Sequence, residues 1–285
     1  MNDKPSGAVP SIEQLSRFSW HAADHKCRPE DGCQVVHKIW STLRWLLKQG
    51  RPPAGDSFLE ERIEALAARG GSRILICGGA DTGLLEIVAA SDRKLGFRPR
   101  VTFVDRCATP CAQNGLLAAG LPFTVDIVQQ DILGYLEQSF DLVLAHNFLF
   151  FFSPGDQSRV LRRWADLLVP GAELSFVQNL LHDGTPRQQE PVQPALRELS
   201  QAARSAGFTS DETSELCQLA AQMWSTEPFP WIHRRWLTAA LQAAGLETER
   251  CDLLQSERDT GSGPRGRFGA DRYAICCRKP AQWGN

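Results

Sequence analysis

The sequence reads as an α/β protein: a doubly wound, mostly parallel seven-stranded sheet with N-terminal helices and an inserted helical cap. Three observations carry this reading. From residue 73 onward, short apolar runs without polar alternation recur, as strands buried on both faces require. Between them, apolar residues fall at helical spacing, which argues for strand–helix–strand units. A glycine-rich turn, Gly78-Gly79-Ala80-Asp81-Thr82-Gly83, joins the first of these runs to the helix after it.

The first seventy residues are helical in pattern. Ser11 and Gln14 stand at capping-box spacing ahead of Leu15 and Phe18. Val36, Ile39, Trp40, Leu43 and Leu47 form one stripe, and Gly50, Pro52, Pro53 and Gly55 break it. Ser57 and Glu60 suggest a second capping box before the stripe Leu59, Ile63 and Leu66, and Gly70-Gly71 stops that helix. Strands are expected at 73–77, at 101–104 ending on Asp105, at 123–128 followed by Asp131, and at 140–145. Ser153-Pro154 starts a helix with Pro at its first position and the stripe Val160, Leu161, Trp164 and Leu168. Pro170-Gly171 turns the chain into a fifth strand, 173–177. Residues 180–231, with Pro186, Pro191, Pro194, Pro228 and Pro230, interrupt the alternation and read as the cap. A helix over 232–244 with Trp236, Leu237 and Leu241 inward, then strands at 246–254 and 273–277, close the core. The Gly-rich stretch 259–269 between those strands is long for a loop. The organisation expected is an N-terminal helical cap over 1–70 and a core over 71–285, with the insertion at 180–231.

Composition narrows the function classes. With 285 residues, 42% hydrophobic and 22% charged, the chain has the make-up of an ordinary globular protein, which excludes wholesale disorder. Its 31 basic and 33 acidic residues give a net charge of −2, against a general nucleic-acid binder. The longest apolar run, 148–152, falls far short of the roughly 20 residues that span a bilayer, so no membrane partner is expected. The start lacks a secretory pattern, and a cytoplasmic location is the default expectation. Nine scattered cysteines, an odd number, then read as reduced thiols. Nothing in the sequence sets the oligomeric state.

The glycine turn carries the chemistry. Glycine at a strand-to-helix bend lets the backbone approach a ligand closely. Asp105, about twenty residues on, ends the second strand, where a carboxylate accepts both hydroxyl hydrogens of a ribose. Asp131, just past the third strand, is placed for an adenine amino group. The turn matches a dinucleotide fingerprint except that Ala80 replaces the middle glycine. Its methyl group and the charge of Asp81 disfavour a pyrophosphate and suit a phosphate-free, cationic nucleoside such as S-adenosylmethionine.

These pieces resemble the class I S-adenosylmethionine-dependent methyltransferases. The resemblance runs from about Arg73 to Lys279. It rests on 74–83, on 101–105, on Gln130-Asp131-Ile132, on 140–147, on the turn Leu168-Val169-Pro170-Gly171, and on the terminal helix–strand–strand, which looks like that family's antiparallel finish. It implies a Rossmann-like methyltransferase fold, S-adenosylmethionine as cofactor, and a cofactor site of Gly78, Gly79, Ala80, Asp81, Gly83, Asp105, Arg106, Asp131, Ile132, His146 and Asn147. Many members carry an acidic residue on the first strand to orient the methionyl amine; here Ile76 stands there, which leaves two alternatives: Asp81 takes the ammonium instead, or the methionyl end is held differently.

Methyl transfer to a weak nucleophile needs alignment and a proton acceptor. His146, ending the fourth strand, is the candidate base, and a structural histidine is its plainer reading. Phe148, Phe150, Phe151 and Phe152 suit core packing first and an aromatic substrate wall second; Phe148 and Phe151, with Trp20 and Trp231 from the helical parts, are the candidate substrate contacts. His21, His25, Cys27, Cys33 and His37 are all metal-ligand types. Without a paired C-x-x-C they read first as surface histidines and buried thiols, with no metal. Cys107, Cys111, Cys276 and Cys277 read as core thiols. The function expected is methylation of a small-molecule acceptor on nitrogen or oxygen. The alternatives are a non-catalytic S-adenosylmethionine-binding scaffold or partner subunit, and an NAD(P)-dependent oxidoreductase.

Overall fold

A computed structural model of the chain describes residues 8–47, 55–137, 139–181, 192–225, 232–255 and 270–281. The sheet grows outward from β1 (Arg73–Cys77), whose apolar run is buried from Ile74 to Cys77. Parallel partners flank it: β2 (Arg100–Asp105) on one side and β4 (Phe140–His146) on the other. β3 (Thr124–Gln129) lies outside β2, and β5 (Leu168–Leu181) outside β4. β7 (Ala270–Arg278) then runs antiparallel between β5 and β6 (Glu247–Gln255). The strand order is β3-β2-β1-β4-β5-β7-β6.

Helices cover both faces, so the central strands have no wet side. On one face β1 and β4 pack Leu75, Cys77 and Val143 against α6 (Pro154–Leu167) and α9 (Arg234–Ala243). Trp164 of α6 is fully buried there, stacked on Phe148 and tilted against Phe176. On the other face Ile74, Ile76 and Leu144 meet Leu59, Ile63 and Leu66 of α3 (Asp56–Ala68) and Leu85 and Val88 of α4 (Gly83–Leu95). α5 (Ala108–Ala118) connects β2 to β3.

The remaining helices form a third layer. α1 (Ile12–Lys26) starts on the expected capping box, with Ser11 and Gln14 bonding reciprocally. α2 (Gln34–Leu47) packs along it, and α7 (Gln193–Ser205) and α8 (Ser210–Ser225) of the insertion close over both. Trp20, Ile39, Leu43, Leu199, Leu216 and Trp224 share one apolar cluster. Two stretches far apart in sequence therefore build one helical layer.

The sequence reading departs from the structure in local detail. α3 begins at Asp56 with Gly55, at φ 105°, as its N-cap, so Ser57 and Glu60 form no capping box; a Cβ on Gly55 would lie 2.8 Å from Val177, which holds the start at that residue. The buried stripe of α2 includes His37 and Leu46, while Val36, Trp40 and Leu47 are half-buried, because α2 packs against three helices instead of one sheet face. β5 runs through Pro170-Gly171 instead of starting after it, with a register shift against β4. β3 is a sheet edge with alternating exposure, not a fully buried strand. The breaker run 50–53, the prolines at 186, 191, 228 and 230, and the stretch 259–269 lie outside the described residues. All nine cysteines are free thiols, and no described helix is long and apolar enough to cross a membrane.

Candidate active site

The carboxyl ends of β1, β2 and β4 meet at the glycine turn. Gly78 adopts φ +68°, and a Cβ there would lie 2.2 Å from the Phe148 ring, so both backbone and space demand glycine. Its N–H donates to the Val104 carbonyl at 2.8 Å, extending the β1–β2 ladder by one residue into the turn. The Asp105 carboxylate sits beneath: Oδ2 accepts the Gly79 N–H at 3.2 Å and Oδ1 accepts the Cys107 N–H at 2.7 Å. A carboxylate offers about four lone-pair sites, so two bonds leave capacity for two further donors, such as a sugar diol. Burial pushes the Asp105 carboxyl up to about 6, opposed by the positive charge of His37 and by the two backbone N–H groups.

Asp81, the residue expected to meet a cationic ligand, is paired with a cation of the chain itself. Its Oδ2 is held by Nε of Arg44 from α2, and its Oδ1 accepts the Gly83 N–H at 2.8 Å. The same guanidinium forks onto Glu86 at 2.6 and 2.7 Å and reaches Thr82 at 3.2 Å. Burial works against the Arg44 charge, yet Asp81 and Glu86 together raise its affinity for the proton. Sequence reasoning missed Arg44 because local spacing is blind to a partner 37 positions away. Its one signal is a guanidinium next to Leu43, on a helix whose neighbouring positions are buried.

The other expected residues divide. Gly79 and Ala80 line the turn half-buried, and Gly83 opens α4. Asp131 is exposed and caps the short turn Ile132–Gly134 through the Leu133 N–H at 2.8 Å, while Ile132 is buried. Arg106 is exposed and donates to the Asp31 carbonyl at 3.3 Å. His146 ends β4 half-buried, opposite Val177. Asn147, at φ 50°, is occupied structurally: its Oδ1 accepts the Asn179 N–H at 2.8 Å and ties β4 to β5. Phe148 packs edge-on to Phe152 as well as against Gly78, and Phe151 is exposed. Trp20 is not at this edge. Its ring is buried inside the helical layer, edge-on to Phe208 and beneath the Lys38 ammonium at 5.1 Å, because α1 turns that face toward α2 and the insertion. Trp231 lies outside the described residues.

The N-terminal histidines and cysteines also divide. Cys27, Cys33 and His37 come together, and Cys107, expected only as a core thiol, joins them. All four are buried, with ligand atoms within 4.8 Å of one another. Cys27 Sγ lies 3.4 Å from His37 Nδ1 and 3.5 Å from Cys107 Sγ. Hydrogen bonds from Cys27 and Cys33 hold the Cys107 thiol far below its ordinary range. His21 and His25 are exposed and stand apart from the group. Cys111, Cys276 and Cys277 are buried, as expected.

Residues 78–176 match a family model described as a methyltransferase domain. The antiparallel β7 inserted between β5 and β6 decides the remaining ambiguity, since the usual dinucleotide-binding sheet runs 3-2-1-4-5-6 throughout in parallel. The fold is that of the class I S-adenosylmethionine-dependent methyltransferases. Among solved structures, the chain is similar in fold to the [4+2]-cyclase SpnF (TM-score 0.51, 16% identity, 78% of this chain and 81% of that one). It is similar to TnmH (TM-score 0.52, 18% identity, 91% of this chain and 61% of that one). It is also similar to an O-methyltransferase family protein from Burkholderia thailandensis (TM-score 0.52, 14% identity, 97% of this chain and 65% of that one). No curated protein matches the sequence.

The adenosine half of the site fits S-adenosylmethionine: a bend open only to glycine lies beside a half-buried carboxylate with acceptor capacity left. The methionyl half is built differently from many members. Ile76 is fully buried in the sheet, and Asp81 is already paired.

Proposed function

We propose that this protein is an S-adenosylmethionine-dependent methyltransferase that methylates a nitrogen or oxygen of a small-molecule acceptor. Asp105 holds the ribose diol, the backbone of Gly78, Gly79 and Gly83 borders the methionyl side, and Asp131 with the Ile132 N–H meets the adenine. When bound, S-adenosylmethionine supplies a methyl group on a sulfonium, a good leaving group. His146 at the end of β4 would take the proton that the acceptor gives up on methylation. Phe148 and Phe151 border the acceptor side.

The observation that carries this reading is the attachment of the helical layer to the cofactor edge. Arg44 of α2 binds the glycine turn, and Cys27, at the end of α1, lies against Cys107, two residues past Asp105. A roof made from two chain segments favours an enclosed, small acceptor over a macromolecular one. The net charge of −2 and the free thiols support an acceptor other than nucleic acid and a reducing, cytoplasmic setting.

Calorimetric titration with S-adenosylhomocysteine and with NAD(P) tests the cofactor side, and only the former is expected to bind. Release of S-adenosylhomocysteine is then followed with a panel of phenols, amines and carboxylic acids, and separately with protein and RNA. Turnover confined to the macromolecules would overturn the small-acceptor reading. Unchanged turnover of a phenol by His146→Ala would remove the proton-acceptor role.

A further inference from the structure

We propose that Cys27, Cys33, His37 and Cys107 bind one zinc(II) ion that clamps the helical layer onto the core beside the cofactor edge. The four side chains are the closed three-thiolate, one-imidazole set of a structural zinc site. Zinc–sulfur bonds of about 2.3 Å and zinc–nitrogen bonds of about 2.05 Å, arranged tetrahedrally, put sulfur atoms about 3.8 Å apart and sulfur about 3.6 Å from nitrogen. The separations of 3.5 Å for Cys27–Cys107 and 3.4 Å for Cys27–His37 fall close to those edges. With four protein ligands no coordination position stays open, so the role is structural and not catalytic.

The chain is shaped to present these atoms. Cys27 ends α1, and the one-turn segment Pro29–Asp31 with Gly32 at φ +63° reverses the chain. Cys33 stands just before α2, where its carbonyl accepts the His37 N–H, and His37 lies one turn further in. Cys107 is the N-cap of α5. Two of the three thiols thus sit at helix N-termini, where the backbone dipole favours the thiolate that a metal needs. The outer contacts are polar too: the Thr109 hydroxyl lies 3.1 Å from Cys27 Sγ, and the Ser19 hydroxyl donates to the His37 carbonyl at 2.6 Å. Apart from Ala23, the small buried cluster here consists of the three cysteines, which makes a poor hydrophobic core but a good soft-ligand cage.

A second group of possible ligands, Glu173, Glu249 and Cys276, shows what a non-metal cluster looks like. Arg62 and Arg69 reach Glu173, and Arg278 reaches Glu249, so guanidinium groups already supply the positive charge.

The test uses the full chain, purified reduced and without chelators. Elemental analysis is expected to find one zinc per chain. Exchange with cobalt(II) is expected to give the intense visible bands and thiolate charge-transfer absorption of a tetrahedral sulfur-rich site. Cys33→Ser is expected to lose the metal and lower the melting temperature, while Cys111→Ser, buried but outside the group, keeps it. Should Cys33→Ser fail to fold, the cobalt spectrum of the unmodified protein decides. Three results would each overturn the proposal: no zinc in the purified chain and none taken up on titration, a Cys27–Cys107 disulfide, or equal metal loss in both variants.

Discussion

The sheet and the helical layer are held by different forces. In the sheet, every central strand is covered on both faces, and residues such as Leu75, Phe103, Leu144 and Trp164 lose nearly all contact with water. Its cohesion is apolar and continuous. The layer of α1, α2, α7 and α8 has one modest apolar cluster of its own. Its ties to the core are specific polar contacts: Arg44 to Asp81 and Glu86, Gln113 of α5 to the Leu15 carbonyl and the Ser41 hydroxyl, and the thiol–imidazole group. Apolar area tolerates many sequences, whereas each of these ties fails when a single residue changes. The sheet is therefore built to persist, and the helical layer is built to be attached.

Four substitutions probe this contrast, from the largest expected effect to the smallest. Trp164→Ala empties the centre of one core face and is expected to cost about 3–5 kcal/mol in denaturant unfolding; a loss under about 1 kcal/mol would show that apolar packing in the sheet does not dominate the stability. Arg44→Met leaves Asp81 and Glu86 without their cation and is expected to cost about 3 kcal/mol. Adding Asp81→Asn should recover part of that loss, and a double variant no more stable than Arg44→Met alone would mean the charge pairing is not what matters. Asp105→Ala is expected to weaken S-adenosylhomocysteine binding by tenfold or more, about 1.5–3 kcal/mol, in calorimetry of the folded variant. Unchanged affinity would remove the ribose contact. Lys38→Met breaks partly buried pairs with Asp24 and Glu215 and is expected to cost only about 1 kcal/mol, shrinking at high salt. A salt-independent loss would instead assign the effect to the Lys38 contact with the Trp20 ring.

The candidate site is legible in the sequence in unequal parts. Gly78 and Asp105 can be read from it because each requirement is local: a bend needing positive φ follows a strand, and a carboxylate ends the next strand. Asp81 misleads because its charge looks unpaired until Arg44 arrives from another helix. Trp20 is misplaced because the direction of a helix face depends on what packs against it. The metal-ligand residues are half legible. Cys27, Cys33 and His37 stand within eleven residues, but exposed His21 and His25 carry the same chemical signature and blur the pattern.

Residue order alone is enough for the alternation of strand and helix and for the glycine bend, since burial periodicity and turn chemistry act over a few neighbouring residues. Folding in three dimensions is needed for the antiparallel place of β7, the joining of N-terminal helices and insertion into one layer, and the fourth member of the thiol–imidazole group. Cys27 and Cys107 are 80 positions apart in the chain, and only the packing of α1 against α5 brings their sulfurs to 3.5 Å.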